Sequence, residues 1–206
     1  MRPVAFTPQG QQVTYRMASA RRALRAVTSD ARVRRAYFDC RYGQLHIHYA
    51  IPGGGGFDEA TPLLCLPDIP GSGRFFAPLL SSLGRDRSAY APDLPSCGES
   101  DPVGGHVEAA DAAQALFDFL DSMHLRHVDL MAHGEGVAVA LSMLELRPAH
   151  IGRLVLSPPT ESLRSQVKSL RHATLLIDLA AGQSAAATGA PLEQQAAQLR
   201  EFLGLP

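Results

Sequence analysis

The sequence predicts an α/β fold: a mostly parallel, twisted sheet with helices on both faces. Two observations carry this. Short apolar runs that read as strands alternate with longer runs of helical periodicity from residue 37 onward. Such alternation implies parallel pairing, with right-handed helical crossovers covering the sheet. The second is size: 206 residues rich in aliphatics and alanine suffice for one domain with a buried core.

The chain divides into a leader, residues 1–35, and a single domain, residues 36–206. The leader carries Arg2, Arg16, Arg21, Arg22, Arg25, Arg32, Arg34 and Arg35 against only Asp30. It reads as a solvated segment with a short helix near Tyr15–Val27. Its composition also fits an organelle transit peptide or a contact with an acidic partner.

In the domain, Tyr37–Cys40 and Gln44–Ile51 flank Tyr42-Gly43 and read as a hairpin. His46 and His48 share one face of its second strand, because strand side chains alternate. A metal pair would fit that spacing, but a solvent-facing row is the expected reading. A flexible Gly53–Gly56 loop precedes the strand Thr61–Leu66. A helix is expected over Phe75–Leu83 and a strand over Ser88–Ala91. The 106–125 segment is the clearest helix, with Val107, Ala110, Ala113, Phe117, Leu120 and His124 at spacings of three and four. Strand 127–131, helix 137–146 and strand 153–157 follow. A helix over 161–170, a strand over 173–179 and a helix over 192–203 complete the chain. Ligands of such sheets sit beyond the carboxyl ends of the strands, which directs attention to the loops there.

The net charge of −1 argues against a nucleic-acid binder, which would be strongly basic. No apolar run approaches the length of a membrane span, and Met1-Arg2-Pro3-Val4 does not begin a secretory signal. Cys40, Cys65 and Cys97 are odd in number and widely spaced, so neither a disulfide framework nor a cysteine metal site is expected. A cytoplasmic protein with reduced thiols, and with no cofactor or metal, is the expected reading.

Val128–Val137 reads VDLMAHGEGV, the grammar of a tight turn between strand and helix. Small residues flank such a turn because neighbouring backbone approaches closely. In a nucleophile elbow, G-x-S-x-G, the central position is serine; here it is Gly134. Three further segments fall in order around it: LCLPDIPGSGRFF (64–76), APDLPSCGESDP (91–102) and RLVLSPP (153–159). Together the four resemble the α/β-hydrolase superfamily over residues 37–159. The first of the three resembles its oxyanion segment, HGxPGSxxxF. The second resembles its APDLPGxGxSDxP segment, and the third the strand after the elbow helix.

The resemblance implies a serine, a histidine and an acid, and this chain departs from each. Gly134 has no side chain to attack with. The histidine-bearing dipeptide of the family would fall at Gly182-Gln183, and Gln183 has no basic nitrogen. Between Pro159 and the strand at 173 the family inserts a helical cap and a strand that often delivers the acid, and residues 160–172 are too few for both. Two alignments of 173–179 remain, as the last or as the penultimate family strand. The family's His-Gly at the oxyanion segment has become Pro67-Asp68. Losing several parts together argues for abandonment of triad chemistry.

What the resemblance leaves is a binding pocket. The two backbone N–H groups that hold an oxyanion in the family fall at Ile69 and Glu135, and Glu135 stands at a helix N-terminus. The carboxylates of Asp68 and Glu135 would lie nearby. Two like charges at 4 Å repel by about 4 kcal/mol at an effective dielectric of 20, which disfavours an anionic ligand. The expected ligand-binding residues are therefore Asp68, Ile69, His133, Gly134 and Glu135. The cleft walls should include Ile69, Phe75 or Phe76, and Val137, with Leu94 at the rim. His133 is expected in a packing and turn role. Asp93 should tie down its loop, and Ser72 should serve a turn. Cys97 is a weaker candidate, as a thiol nucleophile.

The expected function is thus an α/β-hydrolase homologue without serine-hydrolase activity that binds a small molecule or a protein partner. The alternative is a diverged enzyme of the superfamily, of hydrolase, lyase or cofactor-free oxygenase type, using the pocket around Gly134. A shortened second half would leave apolar surface and a sheet edge to cover, so self-association through residues 157–206, or a hetero-partner, is expected.

Overall fold

The structure, a computed structural model, describes residues 31–53, 60–157, 167, 170, 172, 174–176 and 199–204. Among the described residues seven strands form one sheet: β1 (Arg34–Cys40), β2 (Gly43–Ala50), β3 (Leu63–Leu66), β4 (Ala89–Pro92), β5 (Val128–His133), β6 (Ile151–Ser157) and β7 (Thr174–Leu176). Their spatial order is β1-β2-β4-β3-β5-β6-β7. Strands β4, β3, β5, β6 and β7 are mutually parallel. The hairpin β1–β2 adds to β4 in antiparallel fashion. The strand β1 takes in the last two arginines of the leader, Arg34 and Arg35.

Alternation along the strands decides which core each residue enters. Leu64, Leu66, Leu130, Ala132, Leu154 and Leu156 face one side, under helices α2 (Ala109–Ser122) and α3 (Gly136–Leu146). Leu63, Cys65, Met131 and Val155 face the other. There they meet Leu79, Leu80 and Leu83 of α1 (Ala77–Leu83), Leu199 of the helical segment 199–202, and Leu203 in the turn that follows it. Both faces are therefore covered, as the sequence predicts.

Helix α2 is shorter than the periodicity suggests. It starts after Glu108, whose backbone is extended, and ends at Met123. His124 turns left-handed at φ 57, and the Leu125 N–H donates to the Leu120 carbonyl at 2.9 Å. This closing bond is that of a Schellman cap, with histidine where glycine is usual. The apolar spacing of Val107 and His124 continues past the point where the backbone leaves the helix.

Buried polar groups pin the second core. Arg87 donates to Asp129 Oδ2 at 2.7 Å, and the two residues are each 2% exposed. Arg87 and Arg153 both donate to the Leu203 carbonyl, at 3.0 and 2.8 Å. Asp86 pairs with Arg200. These bonds cap the carboxyl end of the 199–202 segment and dock it against the sheet, satisfying a carbonyl that the helix leaves open.

Several expectations fall outside the described residues: the helix at 15–27, the Gly54–Gly56 loop, Gln183, and most of the elements at 161–170 and 192–203. Of the 173–179 strand, Thr174–Leu176 is described, paired with β6 at the edge of the sheet formed by the described residues.

Candidate functional site

The strand β5 runs between β3 and β6 and turns through Gly134 and Glu135 into α3. Gly134 has φ 56, the left-handed region that a side chain rarely adopts. Gly136 is needed for a different reason: a Cβ there would stand 2.9 Å from the Leu66 carbonyl and nearer still to that of Pro67. The strand–turn–helix geometry of an elbow is thus intact, although its central residue offers no nucleophile.

The loop after β3 brings Asp68 to this turn. Asp68 Oδ1 accepts from the Ile69 N–H at 2.9 Å and from the Glu135 N–H at 2.8 Å. These are the two donors that the family resemblance assigned to an oxyanion. One carboxylate oxygen of the chain itself now takes both. Among the described residues, no hydrogen bond reaches Oδ2 of Asp68. A Cβ at Gly134 would lie 2.7 Å from Oδ2 and closer to Oδ1 and Cγ. The carboxylate therefore fills the donors and the side-chain space of the elbow together.

Around this point His133 stacks on Phe75, with centroids 4.7 Å apart and planes at 8°. Its Nδ1 lies 3.2 Å from the hydroxyl of Ser157, which is fully buried at the end of β6. Of the expected apolar walls, Ile69 is exposed and Phe75 partly so. Phe76, Val137 and Leu94 are instead buried in the core. Leu94 is not a rim residue, because the loop after β4 folds inward at Asp93.

Asp93 is fully buried, and its carboxylate accepts four hydrogen bonds. Ser72 Oγ (2.6 Å) and the Gly73 N–H (2.7 Å) reach Oδ1, and the Glu99 N–H (2.8 Å) and His46 Nδ1 (2.9 Å) reach Oδ2. Burial raises its carboxyl, but these bonds stabilise the ionised form more, so the group sits below the usual carboxylate range. The expected anchoring role of Asp93 and turn role of Ser72 are seen. Cys97 is half-buried, packs against the core and is a free thiol, as are Cys40 and Cys65. Burial pushes the Cys65 thiol far up, so it is inert as a nucleophile.

His46 and His48 contradict the expected solvent-facing row. They are 1% and 7% exposed. The face they occupy is that of α1 and of the short helical turn Gly73–Phe76, which pack over β2. Their rings meet edge to face at 4.7 Å, and Tyr37 lies 5.0 Å from His46. Burial, with the His46 ring beside it, holds His48 below the ordinary histidine range. An open cleft of about 570 Å³ lies here, lined by residues 32–35, Tyr37, His46 and Glu99. The i, i+2 histidines signalled this place; nothing local signalled the aspartate 47 residues away that meets them.

The sequence pattern of the Alpha/beta hydrolase family matches residues 63–205. A putative carbamate hydrolase, RutD, from Yersinia enterocolitica serotype O:8 / biotype 1B is 32% identical over 141 residues, 68% of this chain and 50% of the relative. The chain thus spans about half the length of that curated relative. Among solved structures, wild-type Cfl2 from Burkholderia cenocepacia matches with a TM-score of 0.56 at 22% identity, over 62% of this chain and 42% of that one. Carboxylesterase CesB from Bacillus subtilis gives 0.55 at 20%, over 72% and 52%. Epoxide hydrolase VrEH1 from Vigna radiata gives 0.55 at 19%, over 61% and 40%. At these identities the structural likeness speaks to fold alone. Joined with the elbow geometry and the family pattern across most of the sheet, it leads to one conclusion: the chain belongs to the alpha/beta hydrolase family.

Proposed function

We propose that this chain does not hydrolyse by a serine route and that its elbow pocket serves binding. The single observation behind this reading is the position of Asp68, with Oδ1 on the Ile69 and Glu135 N–H groups and its carboxylate in the space a residue-134 side chain would need. Oxyanion stabilisation requires vacant donors at the reacting centre. Here a fixed negative charge occupies them. The remaining oxygen, Oδ2, favours a ligand that presents a cation or a hydrogen-bond donor, such as an amine. Ile69 and Phe75 offer apolar contact to the rest of it. The test is labelling of the full chain with a fluorophosphonate probe, alongside turnover of activated esters against a surface-matched control protein. Neither should occur, and stoichiometric labelling of any serine overturns the reading.

A second reading, a diverged enzyme, is favoured by one contact. His133 Nδ1 and Ser157 Oγ are 3.2 Å apart at the carboxyl ends of adjacent strands, an imidazole–hydroxyl pair beside the elbow. The hydrolases among its relatives agree with that class of chemistry. Labelling at Ser157 itself would establish it.

For partners, we keep the self-association through residues 157–206. Among the described residues β7 is the edge strand, and an edge carries backbone groups able to pair with a second copy, which supports this reading. No described helix is long and apolar enough to cross a membrane. Three free thiols fit a reducing compartment such as the cytoplasm.

A further inference from the structure

We propose that His46, His48 and Asp93 form a binding site for a divalent transition-metal ion of the zinc or cobalt type. One ring nitrogen of each histidine and one carboxylate oxygen of Asp93 lie within 4.8 Å of one another, and all three residues are buried. Two imidazoles and a carboxylate are the donor set such ions prefer, at about 2.0–2.2 Å. Small side-chain rotations bring three atoms so placed onto one ion. None of the hydrogen bonds among the described residues involves the His48 ring, although the residue is only 7% exposed. The ring nitrogens of His48 are thus uncommitted and available to an ion, while Asp93 and the His46 ring hold the other donor atoms in place.

The surroundings fit a metal centre as well. Three donors other than histidine already hold the Asp93 carboxylate: Ser72 Oγ, the Gly73 N–H and the Glu99 N–H. Loading therefore exchanges only the proton shared by His46 Nδ1 and Asp93 Oδ2, while those donors keep the carboxylate oriented. The way in is the cleft that reaches His46. Glu99 stands at its wall, with Oε2 3.7 Å from His46 Nε2. The site lies at the carboxyl end of β4, joined through Ser72 and Gly73 to the loop that carries Asp68. It is nonetheless separate from the elbow, and its test does not depend on what the elbow does.

The test is titration of the full, chelator-stripped chain with Zn2+ and Co2+, read by calorimetry and by Co2+ absorption. A single equivalent should bind, raise the thermal midpoint reversibly with chelator, and give cobalt ligand-field bands without the sulfur-to-cobalt band of a thiolate site. His48→Gln, which breaks no hydrogen bond among the described residues, should weaken binding by at least about a hundredfold. Ser72→Ala should weaken it by about 10- to 100-fold, as loss of an outer-shell partner does. Exposed His106→Ala should leave it unchanged. Circular dichroism of each variant separates loss of the site from loss of the fold. Failure of the wild-type chain to bind, a thiolate band, or undiminished binding by folded His48→Gln would overturn the proposal.

Discussion

Asp68 and Gly134 exclude one another's side chains: a Cβ on residue 134 would stand 2.7 Å from Asp68 Oδ2 and nearer to Oδ1. Gly134→Ala should therefore destabilise the fold by about 1–3 kcal/mol. A left-handed φ alone costs about 1–2 kcal/mol for a residue with a Cβ, and displacement of the carboxylate adds to it. Urea unfolding measures this. Asp68→Gly in the same background should recover part of the loss, and a double-mutant cycle should show coupling. Purely additive effects would contradict the steric reading. Gly134→Ser should gain no esterase activity.

Removing the carboxylate should reverse the charge preference of the pocket. In Asp68→Ala the Ile69 and Glu135 N–H groups lose their acceptor at the start of α3, where an anion is favoured. Small carboxylates and phosphonates should then raise the thermal midpoint of the variant, while amines should do so for the wild type. Identical ligand panels for the two proteins would refute the assigned role of Asp68.

The buried Arg87–Asp129 pair offers a stability test. Asp129→Ala leaves a guanidinium uncompensated in the core and should cost about 3–5 kcal/mol. Replacing both partners with Met and Leu should restore much of it. Because Arg87 also donates to the Leu203 carbonyl, hydrogen exchange of residues 199–204 should accelerate in both variants.

A carboxylate at the surface should give a smaller and pH-dependent effect. Asp118 accepts from the Arg41 side chain and backbone N–H, and the Arg41 hydrogen bond holds its carboxyl below the ordinary range. A depressed carboxyl contributes stability that is present above its unfolded value and lost as pH falls through its lower, folded value. Asp118→Asn should thus cost up to about 1 kcal/mol at neutral pH, the usual limit for a partly exposed pair. The difference from wild type should shrink in acid below pH 3.8.

Sedimentation velocity of the full chain over about 1–100 μM tests the assembly. A concentration-dependent shift towards dimer is expected. A monomer throughout, with no binding of apolar dye, would remove the proposal.

Most of the fold was legible because sheet and helix periodicities are local. The runs at 63–66, 128–133 and 136–146 carry their own pattern, and Gly134 and Gly136 marked the turn between the last two. Helix α2 was overextended because Val107 and His124 keep the apolar spacing beyond the capped ends. The site was legible only in outline. That Asp68 and Glu135 would come close followed from the family segments. That Asp68 Oδ1 would accept both N–H groups did not, because it depends on the path of the 67–73 loop. His46 and His48 were misplaced for a similar reason: the residues that bury them, and the carboxylate they face, are remote in sequence.

The fit between residues 68 and 134 also ties the two positions together in mutation. A side chain introduced at 134 first meets the carboxylate and loses stability. Loss of the carboxylate alone leaves two backbone donors open. Changes at the two positions are therefore tolerated better together than singly.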